Sequence, residues 1–154
     1  MRDQYLIQGN EDTVSFTVPA ELRADLDRIT VSFKSLQINR KGNVALRLFG
    51  SEPPPDYFTT SCRIPSNDCL SSNKAFLFML NGPGEGLHGH FLLTRTYLSP
   101  GGTHLWVGSG VCRTSQGGMI MVAGNTYFAG AISQIRIAVA DQKFKAGDIG
   151  VLYG

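Results

Sequence analysis

Short runs in which apolar and polar residues alternate recur along most of the chain. A period of two is the pattern of a strand with one dry face and one wet face. In Asp27–Lys34, Ile29, Val31 and Phe33 share one face while Arg28, Thr30, Ser32 and Lys34 share the other. Val44, Leu46 and Leu48 repeat the pattern after the polar stretch Asn39–Asn43, which predicts a hairpin turn with Gly42 at positive φ. Ile135, Ile137 and Val139 repeat it again, opposed by Gln134, Arg136 and Ala138. Gly, Pro and Asn cluster between such runs at the spacing of about 8–12 residues that two-sheet proteins show. Glycine is 18 of 154 residues and charged residues are 17%, too many breakers and too few solvating side chains for a helical bundle. The expectation is an all-β, antiparallel β-sandwich in one domain over residues 1–154, with at most one short helix. Residues 1–26 should hold an N-terminal strand and that helical segment, because Pro19 precedes Leu22 and Leu26 at i, i+4.

Two segments depart from the alternation. Ser51–Asn73 opens with Pro53-Pro54-Pro55, which donate no backbone N–H, and then shows little period; residues 51–73 are expected to form a long exposed loop. Ala75–Leu80 is apolar on both faces, as suits a strand covered on both sides or one covered outside by another subunit. Phe76, Leu77, Phe78 and Met79 are therefore candidates for an oligomer interface.

A net charge of +2 with no run of Lys or Arg argues against nucleic acid, whose phosphates need clustered cations. No apolar run has the length of a signal peptide or a membrane span, so the chain is expected to be soluble, made in a cytosol and without membrane insertion. Cys62, Cys69 and Cys112 are odd in number and lack zinc spacing; reduced thiols are expected ahead of a Cys62–Cys69 bridge.

His88-Gly89-His90 would put two imidazoles on one face of a strand, making His88 and His90 candidate metal ligands, with His104 nearby if the next hairpin folds back. The competing reading is of surface histidines beside a flexible glycine-rich turn. The twelve acids sit mostly in turns or beside basic residues, with no pair marked out for glycoside hydrolysis, and no G-x-S-x-G elbow occurs. No glycine cluster leads into a helix that could cradle phosphate. The chain thus reads as non-enzymatic, with no cofactor. Tyr57, Phe58 and Trp106 are candidates for ligand or partner contact, since an exposed aromatic ring matches the C–H face of a sugar.

Gly130–Ile137 followed by Phe144–Gly154, with a looser echo in Ile29–Leu48, resembles jelly-roll-like virion proteins of tailed bacteriophages, such as tail fibres and related surface proteins. The resemblance covers about a third of the chain and rests on structural motifs. It implies a jelly-roll-like sandwich in a surface-exposed, non-enzymatic structural component of the virion, synthesised in the host cytoplasm. Such a component would be tail-associated as a fibre, collar or baseplate part, or a capsid decoration protein. The implied partners are copies of itself, as a homotrimer, other virion proteins and a host cell-surface glycan. The long N-terminal shaft of a full fibre is not part of the sequence. A free-standing carbohydrate-binding module is the alternative from a different functional class.

Overall fold

The computed structural model describes residues 1–51 and 53–154, with the backbone alone at Tyr97 and Leu98. In it the alternating runs become strands β1 (Arg2–Leu6), β2 (Thr13–Thr17), β3 (Arg28–Ile38), β4 (Gly42–Phe49), β5 (Tyr57–Ile64) and β6 (Asp68–Ser72). They continue as β7 (Phe76–Leu80), β8 (Leu87–Leu98), β9 (Thr103–Thr114), β10 (Met119–Ala129), β11 (Gln134–Val139) and β12 (Phe144–Tyr153). A single 3-10 turn, Ala20–Leu22, is all that forms of the Pro19–Leu26 segment. Strand takes 64% of the residues and helix 2%, so the fold is an all-β sandwich.

The larger sheet runs β1-β12-β3-β8-β9-β10-β5-β6 and the smaller β2-β11-β4-β7, every neighbouring pair antiparallel. The two sheets pack face to face, with β7 against β5 and β10 and with Ile149 and Val151 of β12 buried in the shared core, and the chain passes back and forth between the layers in jelly-roll order. The strands β9, β10, β5 and β6 extend the larger sheet beyond β1-β12-β3-β8.

Alternation places the core where the sequence puts it. Ile29, Val31 and Phe33 of β3, Val44, Leu46 and Leu48 of β4, and Ile135, Ile137 and Val139 of β11 all point inward and are buried. An aromatic cluster ties the layers together: Phe76 lies 4.8 Å from Phe91 between ring centroids, and Phe78 packs edge-on to Phe33 at 5.1 Å and to Phe91 at 5.5 Å. Gly108 on β9 makes room for it, because a Cβ there would stand 2.5 Å from Phe91 and 2.9 Å from Phe76.

Three expectations need correction. Asn39–Asn43 does not close a hairpin, since β3 pairs with β12 and β8 while β4 pairs with β11 and β7; the turn carries the chain from one sheet to the other. The N-terminal region holds two strands, β1 and β2, one in each sheet. Residues 51–73 are not a loop: β5 and β6 form a hairpin inside them, and of the predicted loop Glu52 lies outside the described residues.

The reason β5 escaped notice is physical: its inward row, Tyr57, Thr59, Ser61 and Arg63, is polar yet buried. Two of these side chains, Thr59 and Arg63, serve β7, the edge strand of the smaller sheet, whose carbonyls would otherwise lack partners. Thr59 Oγ1 donates to the Ala75 carbonyl at 2.7 Å, and Arg63 Nη1 donates to that of Met79 at 3.0 Å. Arg63 also pairs in bidentate fashion with buried Glu85, at 2.7 and 2.5 Å, and the Asn81 amide donates to the same carboxylate at 3.0 Å. Tyr57 is similarly used: its hydroxyl accepts from the Leu48 amide at 2.8 Å, and burial pushes its pKa up to about 12.

Candidate functional site

Residues on the outer side of the larger sheet line up in rows fixed by strand register. One row runs Thr94–Val107–Asn125–Phe58, the next Leu92–Ser109–Ala123–Thr60–Ser71. A third joins Val111, Met121, Cys62 and Cys69, and a fourth Arg113, Met119 and Ile64. Exposure among these is high for apolar side chains: Phe58 is 60% exposed and Val111 58%, with Leu92, Val107, Met119 and Met121 near 40%. The first three rows carry no charged residue, and Arg113 marks the border. A shallow hollow of about 420 Å³ lies within them, lined by Cys62, Val111, Met121 and Ala123 among others.

The same side of the sheet changes character across β3, β12 and β1. Arg2, Lys34, Asp148 and exposed His90 gather there around a smaller hollow of about 220 Å³. The uncharged area is thus confined to one half of the sheet. Its open apolar side chains are contiguous across β9, β10 and β5, and a contiguous apolar patch on a soluble protein is often a contact site.

The other sequence-derived candidates are dispersed. Cys62 and Cys69 are joined in a disulfide across β5 and β6, correcting the expectation of reduced thiols. Directly opposed positions in neighbouring strands bring their sulfurs together. Cys112 is free and buried, and burial pushes its pKa up to about 11, leaving an inert thiol. Trp106 and Tyr57 are only 2% and 3% exposed, so their rings offer no face to a ligand; Phe58 remains outside. Phe76 and Phe78 are wholly buried in the aromatic cluster and cannot serve a subunit contact, while Leu77 and Met79 are half-buried on the outer side of β7.

His88 and His90 both lie on β8. The His88 Nδ1 accepts the Ser35 amide at 3.2 Å, where β3 bulges, and this occupies one of its two ring nitrogens. His104 does not approach them: register sets it against Leu98, ten residues along β8 from His88, a separation of about 33 Å. Among the described residues no three His, Cys, Asp or Glu side chains gather as a metal set.

The two-faced apolar pattern seen at β7 also occurs in β10. Met119, Met121 and Ala123 point outward there while Ile120 and Val122 point inward, and both sets are apolar. That signal is visible in the sequence; what it lacks is the register that places Phe58 and Val111 beside it. Compared with known protein families, with characterised proteins and with solved structures, the chain matches none.

Proposed function

We propose that this chain is a non-enzymatic structural subunit of a bacteriophage particle, tail-associated and displayed on its surface, which assembles with copies of itself through the outer face of β8, β9, β10 and β5. The observation that carries the reading is the uncharged apolar area on that face. Leaving it in water costs free energy that a covering surface recovers. A neighbouring copy is the occupant that the chemistry favours, because any part of an uncharged face can meet any other part of the same face on another subunit without burying like charges. A standard interface takes about 800 Å² from each partner; here the apolar residues would supply most of the centre, with the uncharged Ser109 and Thr60 among them and Thr94 and Ser71 at the ends of the rows. In a homotrimer each subunit turns this face toward the axis. The likeness of Gly130–Ile137 and Phe144–Gly154 to virion proteins, and the sandwich itself, support the assignment to a particle. The carbohydrate-binding alternative loses Trp106 and Tyr57, two of its three motivating rings, to the interior, and the third, Phe58, lies on the face assigned here to assembly.

Sedimentation velocity on the whole chain at micromolar concentration tests the assembly. A trimer is expected for the wild type and a folded monomer for Met121→Glu, whose charge would be buried at the contact. A wild-type monomer that ignores dilution would refute self-assembly. Mass spectrometry of purified particles from the phage carrying this gene tests the location; absence of its peptides would refute the virion assignment alone.

A further inference from the structure

The outer side of the smaller sheet holds a second feature that self-assembly does not use. Arg47 on β4 and Arg136 on β11 are direct cross-strand partners, so two like charges stand side by side. Such a pair is destabilising unless an anion offsets it. Among the described residues, ion pairs join Arg63 to Glu85, Arg95 to Asp27 and Lys143 to Asp12, and neither Arg47 nor Arg136 is in one. Their neighbours in the rows, Ser15, Thr17, Gln134, Phe49, Ala45 and Ala138, include no acid.

Both guanidinium groups are nevertheless held in place. Arg136 donates from Nη2 to Gln134 Oε1 at 2.7 Å and stacks over the Phe49 ring at 4.0 Å. Arg47 donates from Nε to the Lys74 carbonyl at 3.2 Å, leaving the two terminal nitrogens of its fork for other partners. Beside Arg47 opens a cleft of about 560 Å³, lined by Arg47, Phe49, Pro54, Pro55, Asp56 and Lys74 among others; Arg136 reaches it only through the Phe49 ring that it stacks on. That size and mixed lining suit a small organic ligand.

We propose that this cleft binds an acidic saccharide through its carboxylate. The Arg47 fork and the Lys74 ammonium take the carboxylate, the two prolines and the part of the Phe49 ring that Arg136 leaves uncovered face the sugar C–H groups, and Asp56 with Asn73 accepts from or donates to the hydroxyls. Asp56 also sets the charge of the ligand: it repels a second anionic group nearby, which disfavours nucleic acid and polyacidic peptide. An apolar floor would be wasted on a mineral anion. The biological role of such binding as a host contact rests on the virion reading above, but the binding itself does not.

Calorimetric titration of the full chain with glucuronate, glucose, acetate and sulfate, separately, tests the site. Glucuronate is expected to bind in the millimolar range and more weakly as salt rises, with glucose and acetate each at least about tenfold weaker. Arg47→Met should lose glucuronate binding by about tenfold or more while melting no lower than the wild type, since it relieves the arginine repulsion. Asp56→Asn should weaken glucuronate less than Arg47→Met and allow sulfate to bind more tightly. Equal affinity for glucose and glucuronate, displacement of glucuronate by equimolar sulfate in the wild type, unchanged binding in Arg47→Met, or no heat with glucuronate would each overturn the proposal. A monomeric wild type that still binds glucuronate would leave this site standing and remove the assembly.

Discussion

The larger sheet turns Phe58, Val107, Val111 and Met121 outward with no charge in their rows across β9, β10 and β5, whereas the smaller sheet turns Arg47 and Arg136 outward with no acid in their rows. Beneath both faces the interior is the same packed layer of Ile, Val, Leu and Phe. One set of inward residues specifies the sandwich, and the outward set of each strand is free to specify something else. An apolar outward row invites an extensive dry contact; a row of fixed cations invites a small charged ligand. The contrast also separates the tests, because a change on one outer face should leave the other untouched.

The largest effect is expected from moving a charge by one position along β11. Ile137→Asp would bury an unpaired carboxylate and destabilise by more than about 3 kcal/mol, read as a lost or strongly shifted denaturant midpoint. Arg136→Met, its outward neighbour, should fold normally and change stability by less than about 1 kcal/mol. Equal damage from the two would show that inner and outer rows are wrongly divided. Arg63→Met belongs to the same class, since Glu85 would remain buried without its partner, at a cost of about 3–5 kcal/mol.

A smaller effect is expected at the disulfide, which staples the free edge of the larger sheet within the uncharged rows. Cys62→Ser opens a loop with a sequence separation of 7 and should cost about 2 kcal/mol. It should weaken assembly while sparing glucuronate binding. Loss of both together would mean that the two faces are not independent.

The smallest effect is confined to one corner, where Glu11 caps the turn between β1 and β2. Its carboxylate accepts from the amides of Gln8, Gly9 and Asn10 and from the Tyr5 hydroxyl. Partial burial alone would raise its pKa, but these hydrogen bonds outweigh that and lower it from 4.5 to about 2. A folded-state pKa below the unfolded one contributes stability that is complete above the ordinary carboxylate range and is lost as pH falls toward 2. The Gly9 and Asn10 amide resonances should therefore titrate with a midpoint near 2, and Glu11→Gln should abolish that titration without disturbing either face. A midpoint in the ordinary carboxylate range would show that the cap does not form in solution.

Where a strand buries apolar residues, as at Ile29–Phe33 or Ile135–Val139, period two identified it and its inner face correctly. Where the buried row is polar, as at Tyr57, Thr59 and Arg63, the same rule saw nothing, because burial there is sustained by hydrogen bonds rather than by hydropathy. The two-faced strand β10 was legible as a segment, but the uncharged area it anchors depends on pairing with Val111 and Phe58, far off in sequence. The arginine pair is less visible still. Arg47 and Arg136 each read as one ordinary outward residue, and only the register of β4 against β11 sets them side by side.

The most direct test of the division between the two faces is sedimentation of the wild type beside Met121→Glu and Arg136→Glu at matched micromolar concentration. If the uncharged face is the contact, the wild type and Arg136→Glu sediment as the same oligomer and Met121→Glu as a folded monomer. An oligomer that survives Met121→Glu but dissociates in Arg136→Glu would place the contact on the smaller sheet and contradict it.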